Sequence, residues 1–309
     1  MLLNIVDFLY ALSLNIDNRR PNKLKFVPRN IIKYLVNFIV PIYYMYTRRF
    51  HHLKNEKNPE YIVSLTSFPA RIKTLHIVIE SLIRQSQKPD RIILWLSKEQ
   101  FEGKEVLPPY LLEQENRGLE IRFVDDDLRP HKKYFYAMQE YPEANIITVD
   151  DDIFYPPYMI ERLVKTHHKY PTCICCNRAV EFTFENDVLK SYLEWNPVDK
   201  KMATTPNFKI LPTGVGGVLY PPNSLNKELL FNTDIIKKTC LNGDDLWLNL
   251  MARLKSTRTV ICGKRIGFIP ILSTMGVALS RDNIIHGNDK QISQLIQYFG
   301  KDVFLLNLI

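Results

Sequence analysis

From residue 61 onward, the sequence alternates short apolar runs with segments of helical periodicity. The first four runs are YIVSLTS at 61–67, RIILWLS at 91–97, LEIRFVD at 119–125 and NIITVD at 145–150. HIVIESLIRQS at 76–86 places its apolar residues at helical spacing. Strands that alternate with helices form mostly parallel sheets, because each helix carries the chain back to the end from which the next strand starts. The sequence therefore predicts an α/β fold with helices flanking a mostly parallel sheet.

Polar residues collect at the carboxyl ends of these predicted strands, which finish in Ser, Thr or Asp. Ligands of open α/β sheets bind outside the carboxyl ends of the strands, so these ends form the candidate functional region. Two of them repeat the tetrapeptide Val-Asp-Asp-Asp, at 124–127 and 149–152. Three adjacent carboxylates repel one another, so each triplet needs a cation, a turn or a helix start beside it.

The first triplet, at 125–127, follows a strand with the pattern of a sheet edge. LEIRFV alternates apolar residues with Glu120 and Arg122, as a half-exposed strand does. The triplet is expected to cap the next helix and to pair with nearby cations. Alternatively, Lys132 or Lys133 reaches a phosphate of a ligand. The basic residues that follow the triplet are Arg129, His131, Lys132 and Lys133.

The second triplet, at 150–152, follows the continuous apolar run NIITV, which predicts a central strand covered on both faces. No Lys or Arg follows it until Arg162. Carboxylates without such partners are expected to hold a divalent cation. Strand alternation would put Asp150 and Asp152 on one side and Asp151 on the other. A capped turn without a metal is the alternative.

The excess positive charge lies in residues 1–58, which hold ten Lys and Arg against three acidic residues and so carry +7 of the net +8. Within this arm, IIKYLVNFIVPIYYMY at 31–46 is short for a membrane span, contains Lys33 and is interrupted by Pro41. We expect a basic amphipathic helical arm that lies on an anionic membrane surface, peripheral to the inner, cytoplasmic face of the cell membrane. The alternative is that the arm packs on the core. No nucleic-acid partner is expected, since the rest of the chain lacks a Lys/Arg stripe.

The cysteines are odd in number and lack the paired spacing of a zinc site, so they are expected to be buried reduced thiols. They are Cys173, Cys175, Cys176, Cys240 and Cys262.

Five stretches occur together in one order along the chain: YIVSLTSFPARI at 61–72, RPHKKYFYAM at 129–138, IITVDDDIFYPP at 146–157, TGVGGVLYPP at 213–222 and NGDDLWL at 242–248. Together they resemble the family 2-like glycosyltransferases of bacterial capsule and O-antigen clusters, which have the GT-A fold, a Rossmann-like α/β fold. The likeness covers about residues 58–290 and leaves out the basic arm.

The resemblance implies an arm at 1–58 and a GT-A domain at 59–309, with a nucleotide-sugar half at 59–160 and an acceptor half at 161–309. In such enzymes an Asp-x-Asp element holds Mn²⁺ or Mg²⁺ on the diphosphate of the donor. By this likeness Asp152 binds the metal, Asp150 binds the ribose or the metal shell, and Asp151 belongs to the donor site. A hard cation there would neutralise the charge that grows on the departing nucleoside diphosphate.

Further donor contacts follow from the matching stretches. Ser64, Thr66 and Arg71 lie where such enzymes hold the nucleoside, and Lys133 is the candidate phosphate ligand. His286, in IIHGND, matches a C-terminal histidine that several GT-A enzymes use as an additional metal ligand.

The second half is expected to hold the acceptor. TGVGGVLYPP is rich in glycine, so a ligand is expected to approach the backbone at Gly216 and Gly217, with a plain tight turn as the alternative. The resemblance implies that Asp245 takes the proton from the acceptor hydroxyl and that Asp244 supports the acceptor. Capping of the following helix by Asn242 or Asp244 is the alternative. Trp247 is expected either to stack on a sugar or to pack in the core.

Together these features predict a metal-dependent, inverting glycosyltransferase that uses a nucleoside-diphosphate sugar and a glycan or lipid-linked acceptor. One alternative is a sugar nucleotidyltransferase, although the loop TSFPARI lacks the glycines of a phosphate loop. The other is a non-catalytic sugar- or nucleotide-binding protein that depends on a divalent metal. Hydrolysis of the donor without acceptor would separate a transferase from a binding protein.

Overall fold

The computed structural model describes residues 23–47, 51–53, 56–198, 204–263, 268–277, 287–300 and 302–305. The helices are α1 (Lys23–Thr47), α2 (Leu75–Ile83), α3 (Pro109–Leu112), α4 (Lys132–Glu140), α5 (Met159–Lys169), α6 (Lys227–Leu230), α7 (Thr233–Thr239), α8 (Asp244–Leu254) and α9 (Asn288–Phe299). The strands of the central sheet are β1 (Tyr61–Thr66), β2 (Arg91–Ser97), β3 (Leu119–Val124), β4 (Asn145–Thr148), β6 (Ile174–Cys176), β12 (Val218–Tyr220) and β13 (Thr259–Ile261). The short strands outside it are β5 (Ile153–Phe154), β7 (Ala179–Glu181), β8 (Phe184–Glu185), β9 (Val188–Leu189), β10 (Asn196–Pro197), β11 (Ile210–Pro212) and β14 (Ile269–Pro270).

The central sheet has the order β13-β6-β12-β4-β1-β2-β3. All neighbouring strands are parallel except β12, which runs antiparallel to both β4 and β6. The predicted α/β fold with a mostly parallel sheet is therefore confirmed. β4 lies in the middle of the sheet and β3 at its edge, so the contrast between the strands before the two triplets is confirmed as well.

The first three strands end within one residue of their predicted bounds, but β4 ends at Thr148, two residues earlier than predicted. The chain leaves the sheet there because the triplet turns toward charged partners on other elements. Strand alternation consequently does not govern residues 150–152: Asp150 contacts Lys133, whereas Asp151 and Asp152 both contact Arg71.

Each face of the sheet is covered by its own apolar layer. One layer joins β1 and β2 to the buried sides of α1, α2 and α5. In α2 the buried residues recur at helical spacing, with Leu75, Val78, Ile79 and Leu82 all fully covered. The other layer joins α4, α8 and β12. The five cysteines are buried and none of them forms a disulfide bond, as expected.

The first triplet forms a turn at the edge of the sheet. Asp125 pairs with Lys98 at 2.7 Å, both largely exposed, and Asp127 pairs with Lys132. Asp127 also accepts a hydrogen bond from the backbone N–H of Arg129 at 3.0 Å. The expected pairing with nearby cations is therefore confirmed, but the expected capping of the next helix is wrong, because α4 has His131 at its N-cap position and no side chain caps it.

The helix α1 packs on the domain through one face, where Val36, Val40 and Tyr44 are buried. It continues through Pro41, so the expected interruption is wrong; the buried residues on either side of the proline hold both turns against the core. No helix in the described part of the chain is long and apolar enough to cross a membrane. The opposite face of α1 exposes large apolar side chains: Ile31, Tyr34, Leu35, Phe38, Ile39, Ile42, Met45 and Tyr46.

Candidate active site

The second triplet lies at the carboxyl end of β4, and a turn fixes its backbone. The N–H of Asp150 donates to the hydroxyl of buried Tyr155 at 2.7 Å. β5, which follows the triplet, pairs with β14, and the N–H of Ile271 donates to the carbonyl of Asp152 at 2.8 Å. The carboxylates therefore project from a backbone that is held on both sides of the turn.

Lys133, in the first turn of α4, is the central cation of the site. Its ammonium donates to Asp150 Oδ1 at 2.5 Å and to Asp244 Oδ2 at 3.1 Å. Burial alone would lower the pKa of Lys133, but the carboxylates of Asp150 and Asp244 outweigh burial and raise that pKa well above its ordinary value. The lysine therefore remains charged while almost fully covered.

Arg71, in the turn after β1, is the second cation. Its guanidinium donates to Asp151 Oδ1 at 2.5 Å and lies 3.0 Å from Asp152 Oδ2. The hydroxyl of Ser67 donates to the other oxygen of Asp151 at 2.6 Å. The expectation that the triplet lacks compensating cations is therefore wrong, because the fold brings Arg71 and Lys133 to it from elements earlier in the chain.

Asp245 approaches the same region from the start of α8. Both of its carboxylate oxygens accept from the N–H of Gly214, at 3.0 and 3.1 Å. A Cβ placed on Gly214 would lie 3.0 Å from Asp150 Oδ1, 3.4 Å from Asp245 Oδ1 and 3.5 Å from Lys133 Nζ. Gly214, the first glycine in TGVGG, was not among the predicted site residues, although it lies beside groups from both halves of the chain.

The start of α8 is not capped by a side chain. Gly243 occupies the N-cap position without a capping bond, and α8 begins with Asp244. The alternative in which Asn242 or Asp244 caps the helix is therefore wrong. Instead, the carboxylates of Asp244 and Asp245 are directed to Lys133 and Gly214 across the site.

His131 joins the start of α4 to the loop before α8. Its Nε2 lies 2.7 Å from the carbonyl of Cys240, which only accepts, so Nε2 carries the proton. Its Nδ1 then accepts from the hydroxyl of Tyr134, at 2.9 Å. Burial lowers the pKa of His131 to about 4, so the ring is neutral at physiological pH. From the sequence, His131 was one of the basic residues beside the first triplet; in the fold it is a buried, neutral side chain.

The site carries more negative than positive charge. Four carboxyl groups, at 150–152 and 244, pair with the two cations Lys133 and Arg71, and a fifth, Asp245, lies close enough to act on the charge of Lys133. Burial raises the pKa of Asp245 to about 8, and the neighbouring Asp244 adds to the effect. Burial likewise raises the pKa of Asp152 to about 7, with a further contribution from Asp150. A divalent cation would favour the ionised forms, so this donor set fits Mn²⁺ or Mg²⁺ chemically.

The described residues do not include a preformed cluster of three or more His, Cys, Asp or Glu side chains placed around a metal position. The oxygens of Asp150 and Asp152 are instead directed to Lys133 and Arg71. His286, the predicted additional ligand, lies outside the described residues.

Two predicted donor residues, Ser64 and Thr66, form hydrogen bonds with Trp95 of β2. Ser64 is fully buried, and its hydroxyl accepts from Trp95 Nε1 at 2.9 Å, so the expected contact with a nucleoside is wrong. The hydroxyl of Thr66 donates to the carbonyl of Trp95 at 2.7 Å. Asp151 is likewise buried, and its carboxylate orients Arg71.

Three predicted acceptor residues pack inside the chain. Trp247 has no exposed surface, and its Nε1 donates to the carbonyl of Leu230 at 3.1 Å, so stacking of its ring on a sugar is ruled out in this fold. A Cβ on Gly216 would meet the backbone N of Arg178 at 2.9 Å. Gly217 has φ +75°, and its Cβ would meet Met159 Sδ at 2.8 Å. The protein itself fills the space beside both glycines, so the expected ligand approach there is wrong.

No protein-family model and no curated protein matches the sequence. Among solved structures, the chain is similar to a fragment of S. aureus TarS, with a TM-score of 0.44 and 13% identity over 68% of this chain and 59% of that one. The same fragment in complex with UDP-GlcNAc has a TM-score of 0.44 and 13% identity, over 68% of this chain and 57% of that one. The chain is also similar to the mannosyltransferase PcManGT from Pyrobaculum calidifontis in complex with GDP-Man and Mn²⁺. The TM-score is 0.41 and the identity 13%, over 77% of this chain and 68% of that one. The chain thus spans less than two thirds of the TarS fragment.

Proposed function

We propose that this protein is a metal-dependent glycosyltransferase that moves a sugar from a nucleoside-diphosphate sugar to a glycan or lipid-linked acceptor, with inversion, in cell-surface polysaccharide synthesis. One observation supports this most. The carboxylate triplet at the end of β4 and the carboxylates at the start of α8 converge on Lys133 and Gly214. A site of this kind combines anion-binding and metal-binding groups with a base a short distance away.

In this proposal the nucleotide-sugar donor binds to residues 59–160. Asp152 and Asp150 would hold Mn²⁺ or Mg²⁺, which supplies charge neutralisation for the diphosphate when bound. Lys133 and Arg71 are cations already held in place, so they are suited to bind the phosphate oxygens. Thr66 stays a proposed nucleoside contact at the end of β1.

The acceptor binds to residues 161–309, and Asp245 acts as the general base. A carboxylate is an effective general base when its pKa lies near the operating pH, and burial places the pKa of Asp245 at about 8. The acceptor oxygen would form a bond to the anomeric carbon while the bond from that carbon to the diphosphate oxygen breaks, and the hydroxyl proton would pass to Asp245. The Gly214 N–H orients the carboxylate for this transfer, and Asp244 holds Lys133 beside it.

The test is a thermal-shift screen of UDP-, GDP-, CMP- and dTDP-sugars with and without Mn²⁺, because a ligand of the native state raises its apparent stability. We expect one nucleotide class to give a shift that needs Mn²⁺ and is lost in Asp152→Asn. Asp125→Asn, in the exposed first triplet, is the matched control and should behave as wild type. The absence of a shift with every nucleotide would refute the proposal.

The base is tested separately with the donor that this screen identifies. Asp245→Asn should retain Mn²⁺-dependent donor binding and lose about 10² or more in turnover, both in transfer and in hydrolysis of the donor without acceptor. Near-normal turnover by this variant would remove Asp245 from the mechanism. A protein that binds the donor without any hydrolysis or transfer would be a binding module.

We also propose that the protein associates peripherally with the inner, cytoplasmic face of the cell membrane. Two features support this proposal: the apolar side chains along one face of α1 and the net charge of +7 on residues 1–58. Cosedimentation with vesicles should require anionic lipid and weaken as salt is raised. Equal binding to neutral vesicles would contradict the electrostatic part of the proposal.

A further inference from the structure

Asn37 is a polar residue on the packed side of α1, and its side chain joins this helix to the segment around β14. Its Nδ2 donates to the carbonyl of Pro270 at 3.0 Å, and its Oδ1 accepts from the N–H of Leu272 at 2.9 Å. Nδ2 also donates to the carbonyl of Lys33, one turn earlier in α1, at 2.9 Å. The amide of Asn37 therefore pairs with the backbone as a peptide group of a neighbouring strand would.

The other edge of the same segment holds the donor side of the site. Ile269 and Pro270 pair with Phe154 and Ile153 of β5, directly after the triplet. The N–H of buried Ile271 donates to the carbonyl of Asp152 at 2.8 Å. Successive backbone groups of an extended chain point to opposite edges, which is why one short segment contacts both Asn37 and Asp152.

The face of α1 that points away from this contact has the chemistry of a lipid-binding surface. It exposes aromatic and aliphatic side chains along about four turns, with Phe38 at 71% and Tyr46 at 73% exposure. The arm to which α1 belongs carries a net charge of +7, so an anionic bilayer satisfies both the apolar face and the charge. A second copy of the chain would carry the same positive arm and would be repelled.

We propose that Asn37 is a positioning residue through which docking of α1 on an anionic bilayer tightens the donor site at Asp152. The proposal rests on the proposed function for the role of Asp152. If docking restrains α1, it restrains the segment 269–272 through Asn37 and hence the backbone of the triplet. By linkage, a donor bound at the triplet must strengthen docking by the same factor by which docking strengthens donor binding.

The first experiment measures amide hydrogen exchange at Ile271 and Leu272 with and without anionic vesicles, in the absence of nucleotide and metal. Vesicles should slow exchange of the Ile271 amide by about fivefold or more in wild type. In Asn37→Ala the vesicles should still bind, but they should no longer slow that amide. Bound vesicles that leave Ile271 unaffected in wild type, or an unchanged response in Asn37→Ala, would overturn the proposal.

Two control variants separate positioning from general destabilisation. Asn226 caps α6 by accepting from the N–H of Leu229 at 3.1 Å, so Asn226→Ala removes a side-chain-to-backbone bond outside the path from α1 to Asp152 and should keep the vesicle response. Phe38→Ser should weaken vesicle binding yet leave Ile271 exchange as in wild type without vesicles. Slowing that depends on protein concentration instead of vesicles would show that a second copy occupies the face, and would overturn the proposal.

The second experiment measures the Kd of the Mn²⁺–nucleotide complex with and without vesicles. Vesicles should lower this Kd about fivefold in wild type and leave the Kd of Asn37→Ala unchanged. Vesicle-independent nucleotide affinity in wild type would overturn the coupling. Failure of any nucleotide to bind would refute the proposed function instead, because the exchange experiment contains no nucleotide.

Discussion

Replacement of Lys133 by methionine removes the central charge of the site while it keeps most of the side-chain volume. The lysine side chain is 9% exposed and contacts two carboxylates, at 2.5 and 3.1 Å. Removal of one partner from a buried ion pair costs about 3–5 kcal/mol, because the other partner is left buried and unpaired. Asp150 is 25% exposed and Asp244 11%, so water replaces part of the lost attraction. We therefore expect the lower end of that range, about 3 kcal/mol.

The assay is thermal unfolding in EDTA, with Lys98→Met as the matched control. A chain of this size shifts by about 2 °C per kcal/mol, so Lys133→Met should lower Tm by about 6 °C. Lys98 and Asp125 form an exposed pair in the first triplet, with side chains 58% and 89% exposed, and Lys98→Met should shift Tm by no more than about 1 °C.

Mn²⁺ should then raise the Tm of Lys133→Met more than that of wild type, because the metal replaces the lost positive charge. Equal shifts for Lys133→Met and Lys98→Met in EDTA would refute the reasoning, since the two triplets would then be energetically alike.

Three further predictions follow from the packing around the site. Gly214→Ala should lower turnover about tenfold or more with a small change in Tm, because the new methyl would lie 3.0 Å from Asp150 Oδ1; steady-state kinetics checks this. Burial lowers the pKa of His131 from 6.5 to about 4, so the stability that the neutral ring contributes is present above pH 6.5 and is lost as the pH falls from 6.5 to 4. His131→Asn should therefore lose about 3 kcal/mol less unfolding free energy than wild type over this pH range, as measured by urea unfolding. Trp247→Phe should cost about 2 kcal/mol, through the lost bond to Leu230 and the lost volume, and leave KM for the acceptor unchanged, whereas a raised KM would restore Trp247 to the acceptor site.

The helix start at Asp244 shows both what the sequence reveals about the site and what it conceals. NGDDLWL predicts a helix that begins with two carboxylates, and α8 does begin at Asp244. The same pattern suggested capping by Asn242 or Asp244, and neither side chain caps the helix. The carboxylates instead contact Lys133 and Gly214, which lie 111 and 31 residues earlier in the chain. Local sequence carries no information on partners at such separations.

Glycine and tryptophan show the same limit. A glycine in a sequence indicates that a Cβ is unfavourable there, but it does not indicate which atoms fill the space. At Gly216 and Gly217 the space is filled by Arg178 and Met159, whereas Gly214 faces the carboxylates. The antiparallel strand β12 decides this, because it pairs Val218 with Thr148 and so brings the preceding turn to the carboxyl end of β4.

The sequence by itself determined the α/β alternation, the positions of the first four strands to within two residues, and the contrast between a central and an edge strand. These are local properties, since periodicity and continuous apolar runs record which faces of an element are covered. Only the tertiary structure decided which of the two identical triplets faces two buried cations, which glycine lies between the carboxylates, and that Asn37 joins α1 to the backbone of Asp152. The first two depend on strand order, which brings residues far apart in the chain to one edge of the sheet, and the third depends on the packing of α1 beside β14.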